Sequence, residues 1–193
     1  LESHLLANLY RLRYIERWSL MRNVMTENVA EHSYHVSLLT HCLCSIATEI
    51  YGKQVNTEKA VTLSLFHDVT EVFTGDIPTP VKHHNRDILN NFRDIEKLAA
   101  EKLVKQAPNE LKHVYEEAIC NPSNQELSKY IKAADLIDAY LKCTIELSAG
   151  NREFVVAKKQ IEEKINQLNM PEVDYFLHHF APSFEKTLDE ISE

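Results

Sequence analysis

Glycine supplies only three of the 193 residues, Gly52, Gly75 and Gly150, where an average chain carries about 7%. Hairpin turns and phosphate-cradling loops both need residues that reach positive φ at little cost. So few glycines argue against a β-sandwich, a barrel or a Gly-loop nucleotide fold. No segment alternates with period two for long enough to make a strand, whereas apolar residues at helical spacing recur throughout. The expectation is an all-α bundle with short connections, forming a single domain over residues 1–193.

Helical punctuation divides the chain further. Leu5, Leu6, Leu9, Leu12 and Ile15 mark a first helix. A second opens at Asn28, with Glu31 placed for a capping box, and runs to Tyr51 before Gly52. A third starts at Asn56-Thr57 and continues through Phe66 and Val69 to Phe73, where Gly75-Asp76-Ile77-Pro78-Thr79-Pro80 breaks it. Later helices are expected over about Asp87–Gln106, from Pro108 as a first helical residue, from a Ser123/Glu126 capping box to Ala149, over Arg152–Leu168, and from Pro171 with an interruption at Pro182.

The net charge of −8 disfavours binding to nucleic acid polymers or to an anionic membrane surface. No apolar run approaches the roughly 18 residues that span a bilayer. The first residues carry charges inside their apolar pattern and do not read as a signal peptide. Cys42, Cys44, Cys120 and Cys143 form no CxxC pair and read as reduced packing residues, so a cytoplasmic location is expected.

Ionisable residues inside apolar segments point to chemistry. Leu65-Phe66-His67-Asp68-Val69-Thr70-Glu71-Val72-Phe73 holds three of them, and a buried carboxylate is costly unless it is paired or binds a metal. The His-Asp doublet alone says little, because with ten histidines in the chain such a pair arises by chance roughly 0.4 times. Its weight comes from order. His32 begins the second helix, the doublet follows in the next, and Asp135 lies in the apolar run Ile131–Tyr140, with Asp138 nearby. Two imidazoles and two carboxylates suit a divalent ion such as Mn, Co, Zn or Mg, which would acidify a bound water and polarise a phosphoryl oxygen. His35 and His41 read as structural or supporting residues, and His83-His84 and His178-His179 as surface pairs. Trp18 also fits a hydrophobic staple, Asp76 a turn residue, and Glu71 an ordinary helix partner.

The sequence resembles the HD-domain metal-dependent phosphohydrolases, and more closely the bacterial 5′-deoxynucleotidases of the YfbR type. The likeness rests on Arg17-Trp18-Ser19-Leu20-Met21-Arg22-Asn23, Thr26–Ser33, Phe66–Val72, Thr74–Lys82, Lys132–Asp135 and Pro182-Ser183-Phe184. The resemblance implies an HD-domain helical bundle with a divalent ion held by His32, His67, Asp68 and Asp135. It implies that Glu71 aids catalysis together with Asp68. It further implies a nucleotide pocket built from Arg17, Trp18, Asp76, Pro78, Thr79, Pro80 and Lys82, bordered by His32. The implied reaction is hydrolysis of deoxyribonucleoside 5′-monophosphates to deoxyribonucleoside and phosphate, carried out by a homodimer. The alternative is an HD phosphohydrolase acting on a triphosphate, a cyclic dinucleotide or an alarmone. A nucleotide-binding module without turnover and a purely structural metal site are the other rivals.

Overall fold

The computed structural model describes residues 2–120 and 125–192. In chain order the helices are α1 (Leu5–Leu9), α2 (Val29–Glu49), α3 (Thr57–Leu65), α4 (Glu71–Thr74), α5 (Thr79–Lys82), α6 (Arg86–Lys105), α7 (Lys112–Tyr115), α8 (Gln125–Ser148), α9 (Val155–Gln167), α10 (Pro171–His179) and α11 (Leu188–Ile191). Single 3₁₀ segments lie at Tyr10–Tyr14, Asn109–Leu111, Arg152–Phe154 and Ala181–Glu185, and a π-helical turn at Glu116–Cys120. The all-α expectation holds. Among the described residues the only β feature is an isolated antiparallel bridge between Glu16 and Asn28.

α2 is the central element and packs chiefly against α3 and α8, with α10 also on it and α9 lying along α8. Its buried stripe, Val29, His32, Val36, Leu39, Leu43 and Ala47, follows helical spacing. Ala133 and Ala134 of α8 are fully buried in this core, and their small side chains let α8 approach its neighbours closely. A second cluster gathers Leu5, Leu12, Val29, Val69, Leu103 and Ala107, and fastens the N-terminal segment to α6 and to the start of α2. Fully burying a Leu side chain contributes about 1.5–3 kcal/mol, so these two clusters supply much of what holds the helices together.

Several expected boundaries shift. The first helix ends at Leu9 and tightens into 3₁₀ geometry. Pro108 precedes a 3₁₀ turn as its cap and does not open an α-helix. The helix expected from Arg152 begins with a 3₁₀ turn, and the stiff loop after Ile77 contains the one-turn helix α5 with a proline in its first turn. The Ser123/Glu126 capping box involves Ser123, which lies outside the described residues.

The most consequential correction concerns the third helix. It does not run through the His-Asp doublet but ends at Leu65. From Phe66 to Phe73 the N–H groups of Phe66, His67, Val69, Glu71, Val72 and Phe73 reach back three residues, to Leu63, Ser64, Phe66, Asp68, Val69 and Thr70. Apolar periodicity continues across this stretch with no Gly or Pro to mark the change, so pattern alone reads it as one helix. Within this run of tight turns His67 and Asp68, adjacent in sequence, place Nε2 and Oδ2 3.1 Å apart.

Candidate active site

Asn28 caps α2. Its side chain accepts the Glu31 N–H at 3.0 Å, the Glu31 carboxylate returns to the Asn28 N–H at 3.1 Å, and the Asn28 carbonyl accepts the His32 N–H at 3.0 Å. The cap therefore fixes where His32 begins its projection into the core. The His32 side chain is fully buried, and its Nδ1 lies 2.6 Å from Oδ2 of Asp138 on α8. Nδ1–H donating to that carboxylate leaves the Nε2 lone pair facing the other way. His67 is arranged alike: Nδ1 donates to the Ser64 carbonyl at 2.7 Å, which frees Nε2.

The two free nitrogens stand 3.3 Å apart. Asp68 Oδ2 lies 3.3 Å from His32 Nε2 and 3.1 Å from His67 Nε2, and Asp135 Oδ1 lies 3.2 Å from His32 Nε2. Ligand atoms about 2.0–2.2 Å from a common ion are separated by about 3.0–3.5 Å in octahedral or tetrahedral arrangements. His32, His67 and Asp135 also converge as a group able to hold a metal ion. Two imidazole nitrogens and two carboxylates gathered around His32 Nε2 are stabilised by a positive charge among them, so the donor set fits a divalent cation. All four residues expected as ligands are brought together.

The electrostatics agree. Burial pulls the His32 imidazole down, but Asp135, Asp138 and Asp68 outweigh it and hold it well above the ordinary histidine value. His67 is raised against burial by Asp68. Asp68 and Asp135 are lowered by the imidazoles despite burial. Glu71 behaves in the opposite way. Burial, then the charges of Asp68 and Asp76, push its carboxyl up to about 9, and its Oε2 is buried with no hydrogen-bond partner among the described residues. A carboxyl that carries a proton more readily than usual and has a free oxygen beside the ligand cluster is equipped for proton transfer.

Arg17 lies within this electrostatic group, its guanidinium held charged by Glu27 and Asp135 in spite of burial. Its Nε donates to Glu27 Oε1 at 2.6 Å. Trp18 adopts φ 56°, a left-handed conformation that costs a non-glycine residue of order 1–3 kcal/mol. Its ring centroid lies 5.5 Å from that of Phe154, its Nε1 is buried with no hydrogen-bond partner among the described residues, and its backbone N–H helps draw the Asp76 carboxyl down. Burial raises Asp76 and Arg17 opposes that rise, so Asp76 too belongs to the cluster. The rest of the loop sits farther out. Pro78 is half-buried, Thr79 and Pro80 are exposed at the start of α5, and Lys82 pairs with Glu96 of α6. A cleft of about 260 Å³ opens beside His67 and Asp135, walled by Leu63, Phe66 and Ile131.

Two contributors carry roles that sequence reasoning did not assign. Asp138 holds His32 in its tautomer, and Glu27 fixes Arg17 while lying close to His32 and Asp138. Spacing offered one signal for the first, since Asp138 follows Asp135 by three residues on a helix. His35 reaches the outer oxygen of Asp138 at 3.6 Å and is half-exposed, in keeping with a supporting place.

The family model for YfbR-like 5′-deoxynucleotidases matches residues 4–184. A 5′-deoxynucleotidase of Klebsiella pneumoniae (strain 342) is 47% identical over the whole of this chain and 97% of its own. The 5′-deoxynucleotidase YfbR of Salmonella newport is 46% identical with the same coverage. Among solved structures, an HD-domain phosphohydrolase from Listeria innocua superposes with a TM-score of 0.81 at 24% identity, covering 93% of this chain and 87% of that one. The cyanophage S-2L HD phosphohydrolase, bound to dA and one catalytic Zn²⁺, superposes with a TM-score of 0.64 at 22% identity, over 94% and 96% of the two chains. The helical frame is shared with these structures, and with its full-length likeness in sequence the chain belongs to the YfbR-like 5′-deoxynucleotidases.

Proposed function

We propose that this chain hydrolyses deoxyribonucleoside 5′-monophosphates to deoxyribonucleoside and phosphate, with one divalent ion held by His32, His67, Asp68 and Asp135. The observation that carries the reading is the gathering of His67 Nε2, Asp68 Oδ2 and Asp135 Oδ1 each within 3.2–3.3 Å of His32 Nε2, with Asp68 also 3.1 Å from His67, in a chain of this family. When bound there, a divalent ion supplies Lewis acidity toward water and a phosphoryl oxygen. Zinc, cobalt, manganese and magnesium all accept this donor set, and the zinc in the cyanophage relative favours the first.

The chain's own residues do the rest. Asp68 adds negative charge where the water is activated, and Glu71 takes or returns that water's proton. Arg17 draws the phosphate dianion in, and Lys82 adds a second cation once released from Glu96. Trp18 packs on the sugar or base, with the Pro78-Thr79-Pro80 corner as the facing wall and His32 at the floor. Asp76 stands against a 2′-hydroxyl and so selects the deoxy sugar. The working unit is a cytoplasmic homodimer of chains that each form a single domain over 1–193.

Phosphate release by the metal-loaded protein from dAMP, AMP, dATP and a cyclic dinucleotide tests the reading. Turnover of dAMP well above that of AMP is expected. Rapid turnover of dATP or the cyclic dinucleotide with none of dAMP would overturn it.

A further inference from the structure

Among the described residues, two buried carboxylates lie away from the His-Asp cluster. Glu172 bonds Lys53 and Tyr130 within the helical core. Glu146, 1% exposed near the end of α8, does something different: it grips a loop. Its oxygens accept the Val24 N–H at 2.9 Å, the Met25 N–H at 3.1 Å, Asn151 Nδ2 at 2.8 Å and Lys142 Nζ at 2.5 Å. Lys142, also buried, donates to the Met25 carbonyl as well. Asn151 Nδ2 reaches the Arg22 carbonyl at 2.7 Å, and the Arg22 guanidinium pairs with Glu153 at 2.6 Å. These donors outweigh the effect of burial and keep the Glu146 carboxyl down at about 2.

The gripped loop runs from Glu16 to Asn28, whose ends meet as the isolated bridge. It contains Arg17, Trp18 and Glu27, and it ends on the residue that caps α2 ahead of His32. Two routes connect Glu146 to Trp18. Along the loop, Asn23, next to the gripped Val24, donates its side-chain Nδ2–H to the Trp18 carbonyl at 3.0 Å, and the Met21 backbone N–H donates to the same oxygen at 2.9 Å. Through side chains, Lys142 Nζ sits 5.4 Å over the ring of Phe154, and that fully buried ring packs against Trp18. A left-handed Trp persists only where its surroundings over-determine it, and this network supplies the constraint.

We propose that Glu146 is a positioning residue for substrate binding: by holding Val24, Met25 and Lys142 it keeps Trp18 and Arg17 arranged for the deoxynucleotide before it arrives. This rests on the reading of the Arg17-Trp18 loop as part of the substrate pocket. Preorganisation of this kind lowers the ordering cost of binding, so its loss falls mainly on affinity.

The test uses the metal-loaded full chain with dAMP as substrate, comparing Glu146→Gln, the milder Asn151→Ala, and Arg17→Ala. Glu146→Gln should raise KM about tenfold, with a smaller effect on kcat and unchanged Co(II) affinity. Asn151→Ala should move KM in the same direction by less, and hydrogen exchange at the Val24 and Met25 amides should accelerate in both. A purely structural role would lower the melting temperature and leave KM where it was. If Arg17→Ala raises KM while faster exchange at Val24 and Met25 leaves KM unchanged, the positioning role falls alone. If Arg17→Ala also leaves KM unchanged, the pocket assignment falls and takes this inference with it.

Discussion

At the scale of residues, the site is a set of committed lone pairs. Each imidazole spends Nδ1 on a fixed acceptor, Asp138 for His32 and the Ser64 carbonyl for His67, and thereby offers Nε2. Supporting carboxylates of this kind typically change metal affinity 10- to 100-fold when altered. Asp138→Asn should therefore weaken Co(II) binding by about that factor, measured by titration of ion-free protein, while the helical content stays unchanged. Glu71→Ala should retain metal and dAMP binding but lose about 10²- to 10⁴-fold in turnover, as expected for removal of a proton-transfer group. Loss of the metal in that variant would instead make Glu71 a ligand. Residue type and apolar context made His32, His67, Asp68 and Asp135 legible in the sequence. Asp138 and Glu27 were harder to read, because their roles depend on which partner another element brings near.

At the scale of elements, the sequence revealed the frame better than its departures. The Asn28/Glu31 capping box and the span of α2 follow directly from residue chemistry. The break after Leu65 does not, since the apolar pattern continues across it and no Gly or Pro marks the tighter turns that follow. Gly75 ends α4 at φ 72° and ψ 173°, a region essentially closed to residues with a Cβ. Although open space surrounds its Cβ direction, Gly75→Ala should destabilise the fold by about 1–3 kcal/mol and should displace Asp76. Thermal melts together with the dAMP-to-AMP selectivity ratio check this: selectivity should fall along with stability.

At the scale of the whole molecule, glycine scarcity and helical spacing made the all-α class legible, and an acidic chain of net charge −8 still concentrates a cation site at its centre. Among the described residues no helix is long and apolar enough to cross a membrane. In the ion-free protein the raised pKa values of His32 and His67 have a definite consequence for stability. Protonated imidazoles interact favourably with Asp68 and Asp135, so their contribution is fully present below the unfolded value of 6.5 and is lost as pH rises through the higher folded values. The melting temperature of ion-free protein should therefore fall as pH rises above neutrality. Added divalent ion should reverse that fall, because it replaces the protons and binds more tightly as they leave.

On the proposed reading, one ion held by His32, His67, Asp68 and Asp135 turns on the chain's deoxynucleotidase activity. Its most direct test is phosphate release from dAMP as Co(II) is added stepwise to ion-free protein. Activity should rise from baseline and level off at about one ion per chain, with Asp135→Asn requiring far more cobalt to reach any plateau. Turnover that is already complete without metal, or that is unchanged by Asp135→Asn along the whole titration, would contradict the account.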